Sequence, residues 1–184
     1  MQYDDADICQ RDPLIERVLI GSDEIQRRVQ RLGTEISRDY AGSTPVLVNI
    51  LKGAFVFLAD LTRGMSAPHE IDFMAISSYH GGTQSTGVVK IEKDLKTDIT
   101  GRDVIIVEDI VDTGLTLSHL LDLLQTRGPR SLRVCTLLDK SSRRQKEVPI
   151  HYRGFEIPDE FVVGYGLDYD EKYRNLPFIG VLKP

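Results

Sequence analysis

Three acidic side chains, Glu108, Asp109 and Asp112, fall close together, and Thr113, Gly114 and Thr116 follow directly. Carboxylates repel a bare phosphate. They make chemical sense here where sugar hydroxyls or a divalent cation must be held. The turn behind them offers the opposite surface. Its backbone N–H groups are free, Gly114 lets a ligand approach, and a helix starting there brings a partial positive charge. A loop that takes phosphate at one end and ribose or Mg²⁺ at the other suits a sugar phosphate. The same residues also read as a buried strand with a solvated acidic turn. Other chemically able residues stand singly: Lys52 before Gly53, Lys140 after Asp139, and Asp168 and Arg174 near the carboxyl end.

The elements that must position them follow from hydrophobic spacing. Val104–Val107 is a run of four aliphatic residues, which suits a strand buried on both faces of a parallel sheet. Leu117, Leu120, Leu121 and Leu124 then lie on one face of a helix. In such strand–loop–helix units the loop at the strand's carboxyl end is where open α/β sheets bind ligands. Val46–Leu51, Lys52-Gly53 and a helix from about Ala54 to Met65 repeat the arrangement. Ser22 or Asp23 can cap a helix to about Tyr40, with Ile25, Val29, Leu32 and Ile36 as its buried stripe. Further strands are expected at Val18–Ile20, Ile71–Ser78, Val88–Ile91, Arg130–Leu138, Phe161–Val163 and Pro177–Leu182. Residues 1–13 read as a loose lead-in. The stretch YHGGTQSTG after Ser78 has three glycines and no aliphatic side chain, which by composition suits a hairpin tip.

Two acids, two apolar residues and Asp-Thr-Gly-x-Thr, Glu108–Thr116, resemble the phosphoribosyl-pyrophosphate loop of the type I phosphoribosyltransferases. The resemblance runs from about Ile15 to the end, with five motifs in family order. It implies an α/β fold with a central, mainly parallel twisted sheet flanked by helices. The chain is then one domain, 1–184, with a small hood from about 1–20 and 150–184 and a flexible loop over about 78–90. Leu-Lys-Gly at 51–53 matches the family's pyrophosphate loop, where the residue before the glycine is often in a cis peptide. Lys52 and Gly53 are carried over as pyrophosphate contacts, with cis geometry an expectation. Ser78 and Tyr79 match the pair that opens a lid over the sugar pyrophosphate. A glycine-rich lid is sensible because a cationic sugar must be kept from water. Lys140 matches the lysine that bonds the exocyclic oxygen of a purine. PDEFVVGYGLDY, 158–169, is very similar to the purine segment of hypoxanthine-guanine phosphoribosyltransferases.

By that resemblance Phe161 stacks on the base, the Val162 backbone bonds its edge, and Asp168 reaches Mg²⁺. Arg174 contacts pyrophosphate. Glu108 and Asp109 hold ribose hydroxyls and metal-bound water, while Thr113, Gly114, Leu115 and Thr116 form the 5′-phosphate loop. Leu115 stands where some relatives carry Lys, which removes one phosphate contact, and Gly166 stands where others have Ala. Asp112 is the expected general base, with N-capping of the following helix as its plainer role. The implied reaction transfers ribose 5-phosphate from 5-phosphoribosyl 1-pyrophosphate to a 6-oxopurine such as hypoxanthine or guanine, with Mg²⁺ as cofactor. A ligand-sensing regulator on the same fold is the alternative from another class. Adenine, orotate or xanthine specificity is a third; Lys140 and the 161–169 segment argue against the first two bases.

The composition agrees with this class. Hydrophobic residues make up 41% and charged residues 28%, with a net charge of −5, an ordinary globular balance. An acidic chain gives no electrostatic reason to expect nucleic acid. The one basic cluster, Arg143, Arg144 and Lys146, reads as a solvated loop. Cys9 and Cys135 fit no metal or redox spacing and read as free thiols. The acidic N-terminus does not resemble a secretion signal, and Ala54–Ala59 is too short an apolar run to cross a bilayer. A cytoplasmic homodimer or homotetramer is the expectation.

Overall fold

A computed structural model describes residues 4–78 and 89–183. Its frame is a six-stranded sheet of β2 (Val46–Leu51), β3 (Glu70–Ser78), β4 (Val89–Lys93), β5 (Asp103–Val111), β6 (Ser131–Asp139) and β7 (Tyr152–Glu156). The spatial order is β4-β3-β2-β5-β6-β7, and every pairing is parallel except that of β3 with edge strand β4. The central strands are mainly apolar because both faces are covered. Leu47, Ile105, Val107 and Leu137 pack on one face beneath α2 (Ser22–Asp39) and α3 (Phe55–Gly64). Val46, Val48, Ile106 and Val134 pack on the other, beneath α4 (Leu115–Gln125).

The expected stripe of α2, Ile25, Val29, Leu32 and Ile36, is buried. Helix α2 crosses α3 closely, since a Cβ on Gly33 would overlap the Gly64 backbone. Its start differs from expectation. The N-cap is Gly21, which makes no side-chain bond, and the Ser22 N–H donates 2.7 Å to the Asp5 carboxylate. Asp5 belongs to a short helix, α1 (Asp5–Arg11), where the sequence suggested a loose lead-in. Asp4 caps it through the Ala6 N–H, acids fill its first turn and Arg11 its last, which complements the helix dipole. Cys9 anchors it beside Ile15, Val163, Phe178 and Leu182.

That last cluster belongs to a second, three-stranded antiparallel sheet of β1 (Ile15–Ile20), β9 (Ile179–Leu182) and β8 (Val162–Val163). The two ends of the chain meet here. Strand β7, which the sequence reading missed, extends the large sheet instead.

Candidate active site

The carboxyl ends of β2 and β5 carry the residues that the sequence singled out. The Glu108–Asp109 pair does not follow the strand, as expected, but lies within it: β5 continues to Val111, with Glu108 opposite Thr136 and Val111 opposite Asp139 of β6. Pairing of β5 with β2 stops at Asn49 and Val107. Beyond that point the β2 side of β5 is open, and the acids face a cavity of about 290 Å³. Glu108, Asp109, Asp112, Thr113, Gly114, Thr116 and Gly53 all line it.

The phosphate-type loop is built as its residue types require. Gly114, at φ +80°, is the N-cap of α4 and makes no side-chain cap bond. Capping by Asp112 is therefore corrected: a left-handed glycine starts the helix, and the Asp112 carboxylate instead pairs with Arg143 at 3.3 Å. Within the first turn, the Leu115 N–H lies 3.4 Å from the Thr113 hydroxyl. Leu115 itself does not line the cavity.

A second cavity, about 300 Å³, adjoins the first through Gly53 and Asp109 and is lined by Lys52, Asp168, Glu171 and Arg174. The Leu51–Lys52 peptide is cis. The Gly53 backbone lies against Asp109 so closely that a Cβ would overlap the carboxylate. Arg174 reaches Asp168 at 2.7 Å and Glu171 at 3.4 Å and donates to the Gly166 carbonyl at 2.8 Å. Glu171 also bonds Lys52 at 2.9 Å. One carboxylate thus ties together the two cations expected to meet pyrophosphate.

Enclosure sets the charge of the acidic pair. Burial pushes the Glu108 carboxyl well above the usual range, and neighbouring Asp109 pushes it further. Burial likewise raises Asp109 to about 6, against the pull of the Ile110 N–H and of Arg174. Two carboxylates that resist ionisation in a cavity mouth are where a cation or sugar hydroxyls would be welcome. Among the described residues no cluster of three or more Asp, Glu, His or Cys side chains could hold an ion alone. Glu108 and Asp109 offer the oxygen donors that Mg²⁺ takes, one or two carboxylates completed by water and substrate oxygens. The oxygens of Asp168 already accept from Arg174 and from the Glu171 N–H, so a cation there would share them.

Lys140, Phe161 and Val162 line neither cavity. Lys140 is buried at the end of β6, 3.8 Å from Asp159. Phe161 is exposed and meets Tyr169 edge-on at 5.8 Å. Val162 is buried in β8 opposite Val181. A chain of ion pairs links this group to the loop: Asp159 to Arg143 at 3.4 Å, and Arg143 to Asp112 at 3.3 Å. Ser78 ends β3, its side chain undescribed, and Tyr79 lies outside the described residues.

Within the basic cluster, Arg143 and Lys146 are exposed as the sequence suggested, but Arg144 is not. Arg144 is 8% exposed and pairs with Asp139, itself 1% exposed. The signal was available: a lone acid closing a buried strand needs a partner, and the nearest cations along the chain are Lys140, Arg143 and Arg144. Glu171 was missed because only the fold brings it between Lys52 and Arg174.

The sequence and the fold match known proteins. The family model described as a phosphoribosyl transferase domain covers residues 21–170. A hypoxanthine-guanine phosphoribosyltransferase of Bacillus subtilis is 52% identical over 92% of this chain and 94% of its own length. The bifunctional protein TilS/HprT of Listeria monocytogenes is 51% identical over 92% of this chain but only 26% of its own. A crystal structure of a hypoxanthine phosphoribosyltransferase from Staphylococcus aureus superposes with a TM-score of 0.90, at 51% identity and 93% coverage of both chains. The chain belongs to the phosphoribosyltransferase family. Over nearly its whole length it is similar to hypoxanthine and hypoxanthine-guanine phosphoribosyltransferases, enzymes of purine salvage.

Proposed function

We propose that the chain transfers the 5-phosphoribosyl group from 5-phosphoribosyl 1-pyrophosphate to N9 of hypoxanthine or guanine, releasing pyrophosphate and forming IMP or GMP. The observation that carries this reading is the junction at Gly53 and Asp109. It joins a phosphate-and-ribose cavity to one lined by Lys52 and Arg174, so a sugar bearing phosphate at one end and pyrophosphate at the other would span both.

Thr113, Gly114 and Thr116 cradle the 5′-phosphate, and Glu108 and Asp109 take the ribose hydroxyls. Lys52, Gly53 and Arg174 receive the pyrophosphate, with Ser78 and Tyr79 in the lid. As the bond to pyrophosphate breaks, positive charge develops at C1′, and these cations stabilise the leaving group. Asp112 accepts the N7 proton while N9 attacks, and Lys140 donates to O6. Phe161 stacks on the base, the Val162 backbone bonds its edge, and Asp168, with Glu108 and Asp109 through water, would hold Mg²⁺. When bound, that ion neutralises pyrophosphate charge.

Localisation in the cytoplasm suits two buried free cysteines, Cys9 and Cys135, and no described helix is long and apolar enough to cross a membrane. A homodimer or homotetramer is expected by sedimentation.

Initial rates with hypoxanthine, guanine, xanthine and adenine, with and without Mg²⁺, test the reading. Mg²⁺-dependent turnover of hypoxanthine or guanine is the expected result. Binding of the sugar pyrophosphate without turnover of any base would replace the enzyme by a ligand sensor.

A further inference from the structure

We propose that Arg144 is a positioning residue that sets the spacing between Asp112 and Lys140; this rests on the catalytic reading above. Strands β5 and β6 run in register up to Val111 and Asp139. The Lys140 N–H donates 2.9 Å to the Val111 carbonyl. One residue further the strands part. Asp112 turns toward α4, and Lys140 enters a short 3₁₀ turn, Ser141–Arg143. Arg144 bridges that point of divergence. One arm of its guanidinium donates 3.1 Å to the Asp112 carbonyl, and the other pairs with the Asp139 carboxylate beside Lys140.

The following residues are fitted onto the same loop. The Gln145 and Lys146 N–H groups both donate to the Thr113 carbonyl, at 2.9 and 3.0 Å. The Lys146 carbonyl occupies the space that a Cβ on Gly114 would need. Segment 141–146 is thus a strap across the phosphoribosyl loop, with Arg144 as its buried pin.

The substrate explains why spacing matters. O6 and N7 sit side by side on one rigid edge of a 6-oxopurine. A base aimed at N7 and a donor aimed at O6 serve together only at a matching separation. A planar fork with two fixed arms holds two acceptors at a set distance, whereas an ammonium is a single point charge. Arg143 also reaches Asp112, but its side chain is 47% exposed, where such a pair is weakly held.

The test compares Arg144→Lys, Arg144→Gln and Arg153→Met in hypoxanthine turnover, with rates taken per folded molecule below every thermal midpoint. Arg153 pairs with the other oxygen of Asp139 at 2.9 Å, and no bond joins it to residues 112–114 among the described residues. A role in merely holding Asp139 predicts that Arg144→Lys and Arg153→Met behave alike. Positioning predicts that both Arg144 variants lose about 10- to 100-fold in kcat, with the KM for the sugar pyrophosphate within about twofold of the parent, while Arg153→Met keeps its kcat within about threefold. Parental kcat in folded Arg144→Lys, or an equal loss in Arg153→Met, overturns the proposal. A parent that turns over no purine overturns the reading beneath it and this proposal with it.

Discussion

In the proposed reaction Asp112 and Lys140 divide the work on the purine, and each role carries a distinct kinetic signature. Among the described residues the Asp112 carboxylate is held only by its ion pair with the half-exposed Arg143, and its capping role has passed to Gly114. Asp112→Asn should lose about 10²–10⁴-fold in turnover while calorimetry still shows binding of the sugar pyrophosphate. Full activity in that variant would remove Asp112 as the base. Lys140→Ala removes a buried donor, so the purine KM should rise more than that of the sugar substrate; equal KM values for variant and parent would refute the contact. Both residues were legible from the motif around them. Arg144 and Asp139 were legible only in part: an acid closing a buried strand calls for a cation, but which of the nearby cations answers it waits on burial.

At the scale of elements, the site depends on two strand ends meeting without room to spare. The Gly53 backbone touches the Asp109 carboxylate, and its carbonyl lies beneath Gly166. In Gly53→Ala the added methyl group must displace Asp109 or the loop. Overpacking of this kind costs about 1–3 kcal/mol. The expected result is a lower thermal midpoint and a KM for the sugar pyrophosphate raised at least severalfold, with the purine KM less affected. Wild-type values for both substrates would show that the junction has slack. The hydrophobic spacing placed β2, β6, α2 and α4 well and found β5, though it ended that strand four residues early. It failed at α1, where local capping by Asp4 and a long-range bond from Asp5 to α2 make a helix of an acidic lead-in. It failed also at β7, a five-residue strand whose place is set by β6.

For the molecule as a whole, the enclosed acids couple stability to pH. Asp109 has a folded-state pKa of about 6 against 3.8 for the free side chain. A raised carboxylate favours the fold while it is protonated. That contribution is complete below pH ~4 and is lost as pH rises through about 6. Glu108 acts in the same direction. One pKa unit corresponds to about 1.4 kcal/mol, so Asp109 is responsible for at most ~3 kcal/mol, less where it faces water. Asp109→Asn should therefore raise the thermal midpoint of the ligand-free protein at pH 8 and leave it unchanged near pH 4. An equal shift at both pH values would show that Asp109 is not held near pH 6.

Purine salvage by phosphoribosyl transfer was written in the order and chemistry of short motifs. Each is local: acids, a glycine turn and a hydroxyl must be neighbours in sequence to form one loop at one strand end. The alternation of apolar runs was likewise enough for a parallel sheet with helices on both faces. What only the tertiary structure decided are relations between distant segments: Glu171 between Lys52 and Arg174, Gly53 against Asp109, and Arg144 spanning Asp112 and Asp139. The same holds for the raised pKa values of Glu108 and Asp109. Burial, and the through-space contacts that burial makes strong, arise from packing and leave no local mark on the chain.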